Sequence, residues 1–121
     1  MQGWIKTYRE ILDKPIWKCT TPEQKAILMT ILLLANHEGN EWIWQGEKYI
    51  CKPGELITGL SKLAERSGTS IRNVRTALKN FEVTYGFLTS KVTNKNRLIT
   101  IVNWEFYQST TGEVTSKVTS K

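Results

Sequence analysis

LSKLAERSGTSIRNVRTALKNF, from Leu60 to Phe81, decides the architecture of this chain. It predicts two helices joined by a tight turn. Leu60, Leu63 and Ala64 are spaced three and four apart, so they share one helix face. Gly68 can take the positive φ that ends a helix sharply. Thr69 or Ser70 can then cap the next helix, because a short hydroxyl accepts from an orphan backbone N–H. In that second helix Ile71, Val74, Ala77, Leu78 and Phe81 form one stripe at the helical period, the pattern of a helix lying on a core.

At about 100° per residue, Arg72, Thr76 and Lys79 point away from that stripe. Asn73 and Thr69 flank them on one side and Arg75 on the other. Arg suits guanine or phosphate, Asn adenine, Thr a methyl group or phosphate, and Lys contributes charge. An ordinary solvated helix face is the plain alternative.

The charge distribution favours the first of these. The chain has 121 residues and a net charge of +6. Residues 1–60 hold seven basic and seven acidic side chains, and residues 98–121 hold two of each. The whole excess therefore falls on residues 61–97. There Lys62, Arg66, Arg72, Arg75, Lys79, Lys91, Lys95 and Arg97 face only Glu65 and Glu82. Such concentration is the electrostatic footprint of a polyanionic partner.

Outward from this centre, the flanking segments predict a framework. Trp4, Tyr8, Ile11 and Leu12 suggest a short amphipathic helix over residues 4–13, stopped by Pro15. Ile16 and Trp17 follow as a small apolar anchor, docked on the core or at a subunit contact. Thr21-Pro22-Glu23-Gln24 is a helix start, with Thr21 as cap, Pro22 in the first turn and Gln24 closing a capping box. That helix runs to about Asn36 and is apolar over most of its circumference, so it belongs in the middle of the domain. After a loop at 37–40, Glu41 to Cys51 predicts a β-hairpin turning at Gln45-Gly46. Pro53-Gly54 turns the chain again, and Glu55 to Thr58 is a short strand.

Past the helix pair, Tyr85-Gly86 breaks the chain. Phe87 to Thr93 and Arg97 to Val102 are two β-rich runs joined by Asn94-Lys95-Asn96. A hairpin placed there is a wing, whose Lys91, Lys95 and Arg97 suit a phosphate backbone or a minor groove. Lysines on an edge strand also deter aggregation, which is the rival explanation. Asn103 is expected to cap a last helical turn carrying Trp104, Phe106 and Tyr107 onto the core. From residue 109 the chain changes: VTSK occurs twice in tandem, with little to bury, which predicts a disordered linker.

Other classes find little support. No apolar run reaches the length of about 18 residues that a membrane span needs. The N-terminus is not a secretory signal. Cys19 and Cys51 form no CxxC pair, which favours a reducing compartment and argues against zinc. The single His37 has no nucleophile motif beside it, no phosphate-cradling glycine loop exists, and the carboxylates do not cluster. A non-enzymatic chain without cofactor or metal is expected.

Several stretches together resemble a known family. They are WIKTYREILDKPIW (Trp4–Trp17), LLLANH (Leu32–His37), PGELITGLSKLAE (Pro53–Glu65), SIRNVRTALKNFE (Ser70–Glu82) and LITIVNWEFYQ (Leu98–Gln108). The pattern resembles the N-terminal domain of phage replisome organisers, relatives of the bacterial primosome protein DnaD. The resemblance implies an α+β winged helix-turn-helix over residues 1–108, with an N-terminal helical extension and an extra β-hairpin. It implies binding to origin duplex DNA in the bacterial cytoplasm, self-association, and recruitment of the replicative helicase or its loader. The recruiting part would be a further C-terminal domain, reached through a linker that begins at residues 109–121. One stretch departs from the pattern. Phe81-Glu82-Val83-Thr84-Tyr85-Gly86 replaces a plain Leu-Glu-x-x-Gly, so a different helix end is implied there.

The expected DNA-binding residues are Ser70, Arg72, Asn73, Thr76 and Lys79 on the helix, with Lys91, Lys95 and Arg97 on the wing. Two other functions fit the same residues. One is a transcriptional regulator with the same fold. The other is an oligomerisation or protein-interaction module without salt-sensitive DNA affinity.

Overall fold

A computed structural model describes residues 9–36, 40–44, 46–92 and 96–104 of the chain. The expected helix start at Trp4 and Tyr8, the loop from His37, Lys95, and the segment holding Phe106, Tyr107 and the tail lie outside the described residues. Within them the protein is α+β, with four α-helices and two small antiparallel sheets.

Arg9–Asp13 forms a 3-10 helix and Pro15–Lys18 a short α-helix, α1. The first helix ends at Asp13, just ahead of Pro15, and Pro15 also starts a second one; its missing N–H would have been unsatisfied in the first turn anyway. Ile16 is buried and Ile11 packs on the core, whereas Leu12 is exposed. Helix α2, Pro22–Leu34, begins as expected: the Thr21 hydroxyl accepts from the Gln24 N–H at 3.1 Å. The Gln24 side chain instead accepts from Asn80 Nδ2 at 3.1 Å, tying α2 to the far end of the helix pair. Helix α2 buries Ile27, Leu28, Ile31 and Leu32. It ends before Asn36, because the Asn36 backbone N–H and Nδ2 both donate to the Glu55 carbonyl, at 3.1 and 2.6 Å.

Strands β1 (Asn40–Trp44) and β2 (Glu47–Cys51) pair as the expected hairpin, with Gly46 at φ +82°. Strand β3 is Glu55–Thr58, helix α3 Leu60–Ser67 and helix α4 Ile71–Lys79. Strands β4 (Leu88–Val92) and β5 (Arg97–Ile101) form the last hairpin, and the second sheet has the order β3-β5-β4.

This sheet is covered on both faces near β3, which explains why all four residues of ELIT are buried. The register aligns Leu56 with Ile99 and Leu88 with Ile101. By the alternation of side chains these four share one face, and they join the main core of α2, α3 and α4. Ile57 and Leu98 point the other way and pack with Cys51 and Tyr49 of the first hairpin. The extra hairpin thus backs the sheet. Its buried anchor is polar as well: the Glu55 carboxylate accepts from Tyr49 Oη at 3.1 Å and from the Lys52 N–H at 2.8 Å.

Cys51 sits in this anchor, fully buried, while Cys19 is exposed. Burial first, and the neighbouring Glu55 charge second, push the Cys51 thiol up to about 11 from an ordinary 9.0. A raised value favours the folded chain below the ordinary pKa, and that contribution is lost as pH rises through the folded value. Stability should therefore decline from about pH 9 to 11. At pH 8 a thiol reagent should label Cys19 in the native protein and Cys51 only after denaturant is added. Equal labelling of both native thiols would contradict this burial.

The end of α4 is irregular. Helix α4 does not stop at Lys79 but loosens into a π-helical turn, Asn80–Thr84. The Tyr85 N–H reaches back to the Asn80 carbonyl at 3.3 Å and the Phe87 N–H to the Phe81 carbonyl at 2.8 Å. This turn keeps Phe81 fully buried. At the other end of the sheet, Asn103 has φ +63°. That is left-handed backbone and not the extended conformation usual for an N-cap; the N–H groups such a cap would satisfy lie outside the described residues. Trp104 is buried as expected.

Candidate nucleic-acid interface

The helix pair is locally specified. Gly68 has φ +74°, the left-handed conformation that closes α3, and its N–H reaches the carbonyls of Ala64 and Glu65. Ser70, not Thr69, caps α4: its hydroxyl accepts from the Asn73 N–H at 3.0 Å. The Thr69 hydroxyl instead bonds that of Ser67 at 2.8 Å. With both ends of the turn satisfied, α4 is held against the core by Val74, Ala77 and Leu78.

On the outer side of α4, Arg72, Arg75, Thr76 and Lys79 are exposed, and Asn73 is half-buried. Among the described residues, no carboxylate forms an ion pair with Arg72, Arg75 or Lys79. Ser70 is exposed at the start of this face. Its oxygen is engaged in the cap, while its O–H stays available as a donor. Five of the eight expected residues therefore lie along one helix, four of them exposed. They offer guanidinium, ammonium, amide and hydroxyl groups, the set that suits phosphates and base edges.

The β4–β5 hairpin, expected as a wing, is less uniform than its sequence suggests. Lys91 is opposite Leu98 in the register and Arg97 opposite Val92. Adjacent pairs face opposite sides of a sheet, so Lys91 and Arg97 do not share a face. Lys91 is exposed. Arg97 is half-buried and its guanidinium donates to Ser90 Oγ at 3.4 Å, on the face shared with Ile99 and Leu56. That face continues toward the helices.

On the helix pair, three exposed basic side chains stand outside the expected set: Lys62 and Arg66 on α3, and Arg75 on α4. Lys62 and Arg66 are four apart and so share one side of α3, away from buried Leu63 and Ala64. That spacing is the signal in the sequence that points to them. Spacing also misplaces Ile71, expected in the buried stripe but 42% exposed.

Among the described residues, no group of three or more His, Cys, Asp or Glu side chains could hold a metal ion. No helix among them is long and apolar enough to cross a membrane. Comparison with protein-family models, with curated proteins and with solved structures finds no match to this chain.

Proposed function

We propose that this chain is a winged helix-turn-helix module that binds duplex DNA, and that its biological setting is replication initiation in a phage or plasmid. The observation that carries the DNA reading is the outer side of α4: an exposed row of Arg72, Arg75, Thr76 and Lys79, without an ion pair among the described residues, opposite the buried Val74, Ala77 and Leu78. Further support comes from the element order. Helix, strand, helix, helix, strand, strand, with the first strand beside the last, is the order of a winged helix. Here α2, β3, α3, α4, β4 and β5 take those places, and β1–β2 is the additional hairpin. The replication setting rests on the resemblance to replisome organisers, and so does recruitment of a helicase or loader by a further domain.

In this reading α4 enters the major groove. Arg72, Asn73 and Thr76 face bases, Ser70 and Lys79 contact phosphates, and the wing at 91–97 lies along a neighbouring groove. Lys62 and Arg66 add phosphate contacts from α3.

Fluorescence anisotropy with duplex DNA across a salt series tests this directly. If about five to seven basic side chains touch phosphates, log K should fall against log salt with a slope of about −4 to −6. A flat slope would reduce the basic face to a solvated surface. The exposed Ile43 and Ile50 of the first hairpin would then favour a protein-interaction module. Preference for duplex from the chain's own gene neighbourhood would point to an origin or operator. Helicase-loading assays would separate replication from transcriptional regulation.

A further inference from the structure

Ile71 is the one large apolar side chain of α4 that the core does not cover. It occupies the first helical turn, directly after the Ser70 cap. In projection it lies about 40° from Arg75 and about 80° from Lys79, at 100° per residue. Its neighbours on that side are thus exposed cations. An isoleucine there stands outside the core cluster and leaves apolar surface in water.

We propose that Ile71 is a specificity-determining residue that packs on the C5-methyl group of a thymine. The inference rests on the duplex-binding reading above. In the major groove the thymine methyl is the apolar group that a base edge presents. The N-terminal residues of a recognition helix are those that reach base edges. Ile71 stands in that turn, between a cap that fixes its backbone and cations suited to the flanking phosphates. The charge around it fits a polyanion and disfavours a second copy of the same basic face.

Deoxyuridine differs from thymidine only by this methyl, so replacing one by the other isolates a single carbon whatever the sequence of the site. Wild-type chain and Ile71→Ala would each be used to select tight-binding duplexes from a random pool. Each thymine of the selected wild-type site would then be replaced singly by deoxyuridine and titrated by anisotropy. At one or two positions the replacement should weaken wild-type binding about fourfold, the effect of removing one buried carbon from an apolar contact. Ile71→Ala should bind the thymine and deoxyuridine forms equally and select sites without a required thymine there. Because Ile71 is exposed, the variant's circular dichroism and melting temperature should match those of the wild type.

The proposal is overturned if no deoxyuridine position weakens wild-type binding. It is equally overturned if the variant keeps the full thymine preference. Absence of salt-sensitive duplex binding by the wild type would instead remove the DNA reading itself, and this inference with it.

Discussion

Gly54→Ala should be among the most destabilising single-methyl additions to this protein. A Cβ at that position would lie 2.5 Å from Trp104 Cβ and 2.6 Å from its Cγ. Neither atom is the far end of a flexible side chain, so the backbone must move. Gly54 also has φ +87°, where a side chain is strained by its own carbonyl. Left-handed backbone costs a non-glycine residue about 1–2 kcal/mol, and overpacking adds about 1–3 kcal/mol. The position cannot shift freely. The Gly54 N–H donates to the Asn36 carbonyl at 2.8 Å, and its own carbonyl accepts from the Ile101 N–H at 2.9 Å. This one residue therefore joins the end of α2, the start of β3 and the end of β5.

At about 4 °C per kcal/mol for a domain of this size, the melting temperature should fall by about 8–20 °C. A double-mutant cycle isolates the cause. Trp104→Ala alone should cost about 3–5 kcal/mol. In that background Gly54→Ala should retain only the backbone part, about 1–2 kcal/mol. An additive double mutant would show that the contact with Trp104 is not the source of the loss. An unchanged melting temperature for Gly54→Ala would overturn the geometry at this turn.

The second large effect concerns affinity. Arg72→Ala should weaken duplex binding by about 1–3 kcal/mol, or about 5- to 150-fold, with relaxed preference at one base position. Lys79→Ala should weaken all sequences alike and make the salt slope shallower by about 0.9. Both side chains are exposed and unpaired among the described residues, so both variants should melt like wild type. An Arg72→Ala loss equal on every sequence would reassign it to a phosphate. No loss at all would remove it from the interface. Lys91 and Arg97 provide a contrast within the same titration. They lie on opposite faces of the β4–β5 hairpin, and Arg97 is already bonded to Ser90. Their alanine variants should therefore differ in effect, the larger loss marking the face turned to DNA.

Most elements of the described region, and most of their ends, are legible in the amino-acid order alone; the short helix α1 and the π-helical turn are not. Thr21 and Ser70 as caps, Gly68 as a helix stop and Pro53-Gly54 as a turn act through contacts a few residues away. Local chemistry of that kind can be read without a fold. The periodic stripes of α2, α3 and α4 are legible for the same reason, because one element's period shows which side must be buried. The concentration of charge in residues 61–97 is likewise a property of the string alone.

Long-range packing settles what no local pattern encodes. Asn36 ends α2 because Glu55, distant in sequence, takes its donors. Gln24 leaves its capping box to meet Asn80 across 56 positions. Ile71 belongs to the apolar stripe by spacing, yet the core does not reach the first turn of α4. The π-helical turn lengthens the end of α4 so that Phe81 stays buried while the chain turns toward β4. The alternation of Lys91 and Arg97 needs the strand register, which depends on which residue pairs with which across the turn. The burial of β3 on both faces needs the first hairpin to fold behind the sheet, where Cys51 and Tyr49 meet Ile57 and Leu98. In each case the deciding partner lies elsewhere in the chain, and only packing brings the two together.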